Sequence, residues 1–241
     1  MLWVTPRELL YHRFCPADVA IARRISLTEA PIRAVLWDYD GTLMDTYPDM
    51  IALMHTICRD LDIPADEEEI AALMRVGMPY CIAVLSARGG LDKHAIRSRI
   101  PPHNSENACC RPIAGIPETV RALQTRGIRQ YMVTHRDNSC WDGLRHAGLD
   151  SFFSGAVTRE DGFPRKPAPD MVLAALERFD IRPEEAIMIG DRPLDVRAAM
   201  SCGVLGALLD PDDAFPVEPC AFRFSSAHEI ADTLCPKPIE Q

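Results

Sequence analysis

The sequence lacks the features that mark membrane proteins and disulfide-stabilised proteins. No uncharged apolar run is long enough to span a bilayer. The first ten residues carry Arg7 and Glu8 and have no long apolar run, which argues against a secretory signal. The nine cysteines form no C-x-x-C pair, so neither a zinc site nor a disulfide framework is indicated. Reduced thiols fit best, and we therefore expect a cytoplasmic protein.

An excess of positive charge is also lacking. The formal net charge is -9 at pH 7, which argues against general affinity for nucleic acid or for anionic membranes. The chain contains no internal repeat and no low-complexity tract. Of its 241 residues, 47% are hydrophobic and 25% are charged, so it can bury a sizeable core as one domain with an insertion or as two small domains.

Strand and helix patterns alternate along much of the chain. Residues 32–37 form a mostly apolar, β-prone run that predicts a buried strand. From residue 116 onward, similar runs alternate with segments of helical spacing, which indicates an α/β fold with a doubly wound, mostly parallel sheet. Two of the shorter elements are a helix predicted at 92–100 and a strand predicted at 152–157.

The segment after the first strand differs from the rest because its apolar residues follow helical spacing throughout. We therefore interpret it as a helical insertion into the sheet. The expected parts are an N-terminal extension to which the sequence assigns no role, a core in two pieces and the helical insertion, at residues 1–31, 32–45 with 113–241, and 46–112.

Two acidic residues directly follow the first predicted strand. Asp38 and Asp40 belong to Asp-Tyr-Asp-Gly-Thr, in which Gly41 lets the backbone turn sharply. Alternation directs both carboxylates to the same side, at the strand end where open α/β sheets bind ligands. Neighbouring carboxylates repel each other unless a cation or a shared proton relieves them, and a hard divalent ion suits oxygen ligands. An isolated Asp-Gly is more simply a turn, but three further polar signals follow.

These signals also lie near predicted strand ends or helix starts. Thr134 ends a strand, where its hydroxyl can bind a phosphate beside the N–H groups of the next helix, although threonine is common in strands. Lys166 lies in a proline-rich segment before a helix and can neutralise a phosphate or a carboxylate, with a solvated lysine as the alternative. Asp191 follows a strand and Asp195 comes four residues later, so both can serve a cation, and helix capping by Asp191 is compatible with that role.

These four elements, in this order, resemble the four signature motifs of the haloacid dehalogenase-like (HAD) hydrolase superfamily. The resemblance spans about residues 32–210, and the first motif, Asp-Tyr-Asp-Gly-Thr, is highly specific. The helical insertion is similar to the cap of the branch that contains phosphoglycolate phosphatase and β-phosphoglucomutase. The resemblance therefore implies a HAD-like Rossmannoid core with an inserted α-helical cap.

The same resemblance implies a role for each motif residue. Asp38 would attack phosphorus to give an aspartyl-phosphate, and Asp40 would protonate the leaving oxygen and later activate water. Mg²⁺ would be held by the Asp38 carboxylate, the Asp40 backbone carbonyl and Asp191, while Asp195 would orient the metal shell. Thr134 and Lys166 would bind the phosphoryl group, and Lys166 would also pair with Asp38. We also expect Gly41 and His135 among the residues that bind the phosphate.

The implied function is an Mg²⁺-dependent phosphatase that acts on a small phosphorylated metabolite as a monomer or a homodimer, with no nucleic-acid or membrane partner. Family dehalogenases lack the second aspartate, so Asp40 favours phosphate chemistry. Two alternatives stay open, namely a phosphomutase of the β-phosphoglucomutase type and a non-catalytic ligand-binding protein on the same scaffold.

Some residues depart from the family pattern or lie in its variable part. His135 stands where many relatives have a small residue, and contact with substrate and simple packing of the loop carry equal weight for it. The insertion offers four residues that either set specificity or are ordinary surface groups: Arg75, Tyr80, Arg88 and Lys93.

Overall fold

The computed structural model describes residues 4–6, 8–12, 15–29, 31–101, 111–216 and 218–235. The chain divides into two compact units. We call them the sheet unit and the helical unit, and they consist of Met1–Met44 with Pro112–Gln241, and of Asp45–Arg111, respectively.

Eight strands lie in the described part of the chain. In chain order they are β1 (Ala34–Trp37), β2 (Met44–Asp45), β3 (Arg111–Pro112), β4 (Arg129–Val133), β5 (Ala156–Val157), β6 (Ala186–Gly190), β7 (Leu205–Leu209) and β8 (Phe222–Phe224). Six of them form one sheet in the spatial order β5-β4-β1-β6-β7-β8, and all of its neighbouring pairs are parallel. The remaining two, β2 and β3, pair with each other where the chain passes between the two units.

Helices connect the parallel strands and fill the helical unit. They are α1 (Pro16–Glu29), α2 (Tyr47–Asp60), α3 (Glu67–Val76), α4 (Met78–Arg88), α5 (Lys93–Arg97), α6 (Ile116–Thr125), α7 (Ser139–His146), α8 (Asp170–Arg178), α9 (Pro193–Met200) and α10 (Ala227–Leu234). Short 3-10 helices lie at Glu8–Tyr11, Asp150–Phe152, Arg159–Asp161 and Pro183–Glu185. None of the helices in the described part of the chain has the length and apolar character that a bilayer crossing requires.

Both faces of the sheet are covered. Neighbouring residues of β1 point to opposite sides, so each side chain shows what packs on its own face. On one side, Leu36 belongs to a buried cluster with residues of α8 and α9. On the other side, Trp37 donates a hydrogen bond to Gln130 (3.2 Å), and Gln130 donates one to the carbonyl of Val120 on α6 (2.8 Å). The predicted α/β fold with a doubly wound parallel sheet is therefore confirmed.

The helical unit has its own core. Residues of α2, α3, α4 and α5 form one apolar cluster, whose fully buried members include Cys58, Ile70, Leu85 and Ile96. Asp66 caps α3 by accepting a hydrogen bond from the backbone N–H of Glu69 (2.8 Å), and acidic residues fill the first turn of that helix.

Two of the elements are shorter than their patterns predict. The helix predicted at 92–100 ends at Arg97, and the last predicted residue, Ile100, directly precedes Pro101, a position that disfavours the helical conformation. The strand predicted at 152–157 contains only Ala156 and Val157, since its first residue instead ends a 3-10 helix. The shortened strand lies at the edge of the sheet and pairs with β4 alone, so fewer neighbours hold it extended.

One residue of the N-terminal helix contacts the last strand of the sheet. Within the N-terminal extension, α1 spans Pro16–Glu29. Its Arg23 guanidinium lies 5.5 Å from the ring centroid of Phe222 on β8, the last strand of the sheet.

Candidate active site

The polar residues after three adjacent strands meet at one edge of the sheet. Asp38 follows β1, Thr134 follows β4 and Asp191 follows β6, and β1 lies between the other two strands. Because the strands are parallel, their carboxyl ends lie side by side. The backbone N–H of Asp38 donates to the carbonyl of Ile189 (2.9 Å), which extends the pairing of β1 with β6 up to the acidic residue.

Lys166 is the buried cation at the centre of this edge. Its Nζ lies 3.0 Å from Oδ1 of Asp38 and 2.6 Å from Oδ1 of Asp195, and it donates to the carbonyl of Val133 at 2.7 Å. The side chains of Lys166 and Asp195 are fully buried, and 2% of the Asp38 side chain is exposed. Lys166 and Asp38 are thus 128 residues apart in the sequence but form a direct ion pair in the structure.

Glycine at position 190 allows Asp195 to reach this cluster. A Cβ on Gly190 would lie 2.4 Å from Cγ of Asp195, which is closer than any real side chain tolerates. The Asp195 carboxylate also accepts a hydrogen bond from the backbone N–H of Arg192 (3.3 Å) at the start of α9. Capping by Asp191, the simpler alternative for that residue, is not the observed arrangement, because Arg192 occupies the N-cap position.

The two carboxylates that share Lys166 differ in their acidity. Burial raises the pKa of the Asp38 carboxyl, but the charges of Lys166 and Arg192 outweigh burial, so this pKa lies below its usual value. Burial raises the pKa of Asp195, and the neighbouring Asp38 charge adds to the increase. Burial lowers the pKa of the Lys166 ammonium, but the two carboxylates raise it further than burial lowers it, so the ammonium stays charged.

Three carboxylates lie close enough to share one cation. Oxygen atoms of Asp38, Asp191 and Asp195 all lie within 4.8 Å of one another. Oδ2 of Asp38 is buried and accepts no hydrogen bond from any described residue. Asp191 receives a hydrogen bond from the hydroxyl of Thr42 (3.4 Å), which turns its carboxylate toward the first motif. This set of oxygen atoms fits a hard divalent cation such as Mg²⁺.

The turn after Asp38 is held by backbone hydrogen bonds. The carbonyl of Tyr39 accepts from the N–H groups of Leu43 and Met44 (both 3.0 Å), and the N–H of Gly41 donates to the carbonyl of Met44 (2.9 Å). Gly41 has a φ of +76°, a conformation that favours glycine. The turn brings Asp40 out of the fully buried region that contains Asp38.

Arg136 binds the Asp40 carboxylate. Its Nη2 and Nε lie 2.5 Å and 3.1 Å from Oδ1 of Asp40, and Nε also lies 3.4 Å from Oδ2. The Arg136 side chain is only 9% exposed and the Asp40 side chain is 23% exposed. This arginine therefore makes a largely buried, charge-assisted contact with the second aspartate of the first motif.

His135 lies in the loop between Thr134 and Arg136 and is a neutral imidazole at physiological pH. Burial, together with the nearby charge of Lys166, lowers its pKa to about 3. Its Nε2 atom is buried and has no hydrogen-bond partner among the described residues. The oxygen of the Thr134 hydroxyl accepts a hydrogen bond from the backbone N–H of Arg136 (3.1 Å).

The structure thus brings together Asp38, Lys166, Asp191 and Asp195, which come from distant parts of the sequence. Arg88 makes its contacts within the helical unit. It pairs with Glu69 and donates a hydrogen bond to the carbonyl of Pro64 (2.6 Å). An arginine held in this way links α3 to α4.

Three further residues of the site were given no role by the sequence. Thr42 contacts Asp191, Arg136 contacts Asp40, and a nitrogen of Arg192 lies 3.6 Å from Oδ2 of Asp38. All three stand inside or directly after a motif, so their positions could have suggested them.

Comparison with known proteins shows which family this chain resembles. A family profile described as haloacid dehalogenase-like hydrolase matches residues 35–208. A phosphoglycolate phosphatase of Nitrosospira multiformis is 30% identical over 186 residues, which cover 72% of this chain and 81% of the relative. A pyrophosphatase, PpaX, of Bacillus velezensis is 30% identical over 181 residues, which cover 73% and 82%. The fold is similar to that of a HAD family hydrolase of Deinococcus radiodurans solved with bound phosphate and sodium, with 24% identity, a TM-score of 0.68, and coverage of 86% of this chain and 100% of that one.

Proposed function

The chain belongs to the haloacid dehalogenase-like hydrolase family, and from this we propose that it is an Mg²⁺-dependent phosphatase that hydrolyses a small phosphorylated metabolite. The observation that carries the proposal is the buried pair of Asp38 and Lys166 at the carboxyl edge of the sheet, in which Oδ2 of Asp38 accepts no hydrogen bond from the described residues. Both curated relatives described above carry the names of phosphatases, which supports hydrolysis of a phosphate group.

The proposed reaction has two steps. In the first, the Asp38 carboxylate attacks phosphorus, the bond from phosphorus to the leaving oxygen breaks, and Asp40 gives its proton to that oxygen. In the second, Asp40 takes a proton from water as the water oxygen attacks the aspartyl-phosphate, and the bond between phosphorus and Asp38 breaks. Asp38 is restored as a carboxylate, and Asp40 is again protonated.

The remaining residues bind the phosphoryl group and hold the nucleophile. Lys166 fixes Oδ1 of Asp38 and supplies positive charge beside the phosphoryl oxygens. We propose that the Thr134 hydroxyl, the Gly41 backbone and the neutral His135 imidazole complete this binding. Asp195 keeps Lys166 in place through the 2.6 Å contact, in addition to the proposed ordering of the metal shell.

The residues that would hold Mg²⁺ are Asp38 through Oδ2, Asp191 through its carboxylate and Asp40 through its backbone carbonyl. When bound, the ion would supply positive charge that neutralises the transferring phosphoryl group. The helical unit, expected at residues 46–112, would act as the cap that selects the substrate.

Hydrolysis of para-nitrophenyl phosphate tests this proposal. Turnover is expected with Mg²⁺ and is expected to disappear in Asp38→Asn, because the amide is not a nucleophile. Asp49→Asn is the matched control, since Asp49 is an exposed residue on α2 with the same change of charge. Full turnover by Asp38→Asn would contradict the proposed nucleophile.

Product analysis with a sugar phosphate separates hydrolysis from the mutase alternative. Release of inorganic phosphate is expected, whereas movement of the phosphoryl group to another hydroxyl would show a phosphomutase. Ligand binding without turnover across a panel of phosphate esters would instead show a binding protein and would contradict the phosphatase.

A further inference from the structure

The Asp40 carboxylate, which is expected to transfer protons, is held by one side chain in the described part of the protein. Among the described residues, its carboxylate accepts hydrogen bonds from Arg136 alone. Two guanidinium nitrogens contact Oδ1, at 2.5 Å and 3.1 Å, and the contact with Oδ2 is longer, at 3.4 Å. The orientation of this carboxylate therefore depends on one side chain.

Arg136 itself is fixed from several directions. Its backbone N–H donates to the Thr134 hydroxyl (3.1 Å), and its carbonyl accepts from the N–H of Arg159 (2.9 Å). Its guanidinium carbon lies 5.1 Å from the centroid of the Tyr39 ring, within range of a cation–π contact. An arginine held at its backbone and at its guanidinium can act as a rigid support, because little side-chain freedom remains to be lost.

We propose that Arg136 is a positioning residue for Asp40, a role that rests on the proposed phosphatase function. Arg136 holds Oδ1 with two N–H groups and thereby aims Oδ2 at the leaving oxygen in the first step and at the attacking water in the second. Oδ2 is the oxygen that carries and delivers the proton, because it has only the long contact with Nε. The role does not require Arg136 to contact the substrate.

The dependence of the rate on the leaving group distinguishes this role from others. A poor leaving group, such as an alkoxide, needs a proton from Asp40, whereas dinitrophenolate leaves without one. The ratio kcat/KM covers the steps up to departure of the leaving group, so it reports the use of the proton by Asp40. Loss of Arg136 is therefore expected to affect alkyl phosphates strongly and 2,4-dinitrophenyl phosphate weakly.

The experiment compares Arg136→Ala and Arg136→Lys with the wild-type protein on these two kinds of ester. For Arg136→Ala, we expect kcat/KM to fall about 100-fold for an alkyl phosphate, as is typical of a misplaced catalytic group, and by less than about 3-fold for 2,4-dinitrophenyl phosphate, which needs no general acid. Arg136→Lys should recover part of the loss, because an ammonium can donate to Oδ1. The ratio between the two esters does not depend on the folded fraction of the variant.

A double-mutant cycle provides the second readout. Asp40→Asn should show the same pattern across leaving groups, and adding Arg136→Ala to it should cost little more, because the residue being positioned is already disabled. Arg145→Ala is the control, since Arg145 lies exposed on α7 and pairs only locally with Asp142 (2.5 Å). This control should leave both esters unaffected.

Equal losses for both esters would overturn the proposal, because a general disturbance of the site lowers both alike. A loss that appears only for substrates with a second anionic group, chiefly as a higher KM, would overturn it in favour of direct substrate binding by Arg136. Fully additive losses in the double variant would also overturn it. Turnover by the wild-type protein tests the phosphatase proposal separately from all three results.

Discussion

Replacement of Lys166 by methionine is expected to destabilise the protein strongly. The ammonium lies 3.0 Å and 2.6 Å from two buried carboxylates. At an effective dielectric constant of about 20, each contact corresponds to about 5 to 6 kcal/mol of attraction. Desolvation of the buried ions offsets much of this, and measured losses from breaking a buried ion pair are about 3–5 kcal/mol. We therefore expect the Lys166→Met variant to lose about 3–5 kcal/mol of unfolding free energy.

The unfolding free energy lost in Lys166→Met should become smaller as the pH falls. Because the folded-state pKa of Asp38 lies below its usual value, Asp38 contributes stability at neutral pH that disappears as the pH falls through that pKa. The variant lacks the ammonium, so it lacks this contribution from the start. The difference between wild type and variant should therefore be largest near neutral pH and should shrink on acidification.

Urea unfolding at pH 7.5 and at pH values from 5 down to 3, with a chelator to remove divalent cations, measures both effects, because the usual pKa of an aspartate is about 3.9 and that of Asp38 lies lower. Lys93→Met is the surface control, because Lys93 is exposed. The double variant Lys166→Met/Asp195→Asn should be more stable than the single variant, since it leaves one buried carboxylate fewer without a partner. A Lys166→Met variant within about 1 kcal/mol of wild type at pH 7.5 would refute the reasoning, because it falls below the cost of an unpaired buried charge.

The remaining predictions concern a buried imidazole, a buried thiol and two glycines. Burial lowers the pKa of His135 to about 3, so on acidification the unfolded chain takes up a proton that the folded protein does not. Between pH 7.5 and pH 5, His135→Gln should therefore lose about 2 kcal/mol less unfolding free energy than wild type. An equal loss in both proteins, measured by urea unfolding, would contradict this. Burial raises the pKa of the Cys140 thiol to about 12, so maleimide at pH 7.5 should label it in urea but not in the folded protein, and rapid labelling of the folded protein would count against the burial. Gly115 and Gly127 both have a positive φ, but a Cβ at Gly115 would lie 2.6 Å from the ring of His228, whereas nothing lies within 4 Å at Gly127. Gly115→Ala should therefore lose about 1–3 kcal/mol more than Gly127→Ala, and equal losses would argue against the close approach.

The sheet and the residues at its edge were predictable because they follow from local patterns. A buried strand is recognised by its apolar run, and parallel strands bring their carboxyl ends to one edge. Asp38, Thr134 and Asp191 each follow such a run directly, so their placement at a common edge needs no long-range information. The position of Lys166 was harder to predict, because no strand precedes it directly. Only the resemblance to a family suggested that it pairs with Asp38.

Contacts between loops were not predictable from the sequence. The pair of Arg136 and Asp40 joins residues 96 positions apart, and it forms only because two separate turns meet at the sheet edge. The pair of Arg88 and Glu69 likewise depends on how α3 packs against α4. Charged side chains in loops have many possible partners in a sequence, and local spacing does not select among them.

Because β2 and β3 pair with each other, the segment between them begins and ends at neighbouring points in space. Lengthening a loop whose ends already meet costs only about 0.6 kcal/mol for each doubling of its length. This segment can therefore be exchanged, shortened or enlarged while the parallel strands keep their register. Such changes would leave the acidic cluster intact, because Asp38, Asp191 and Asp195 all lie outside this segment.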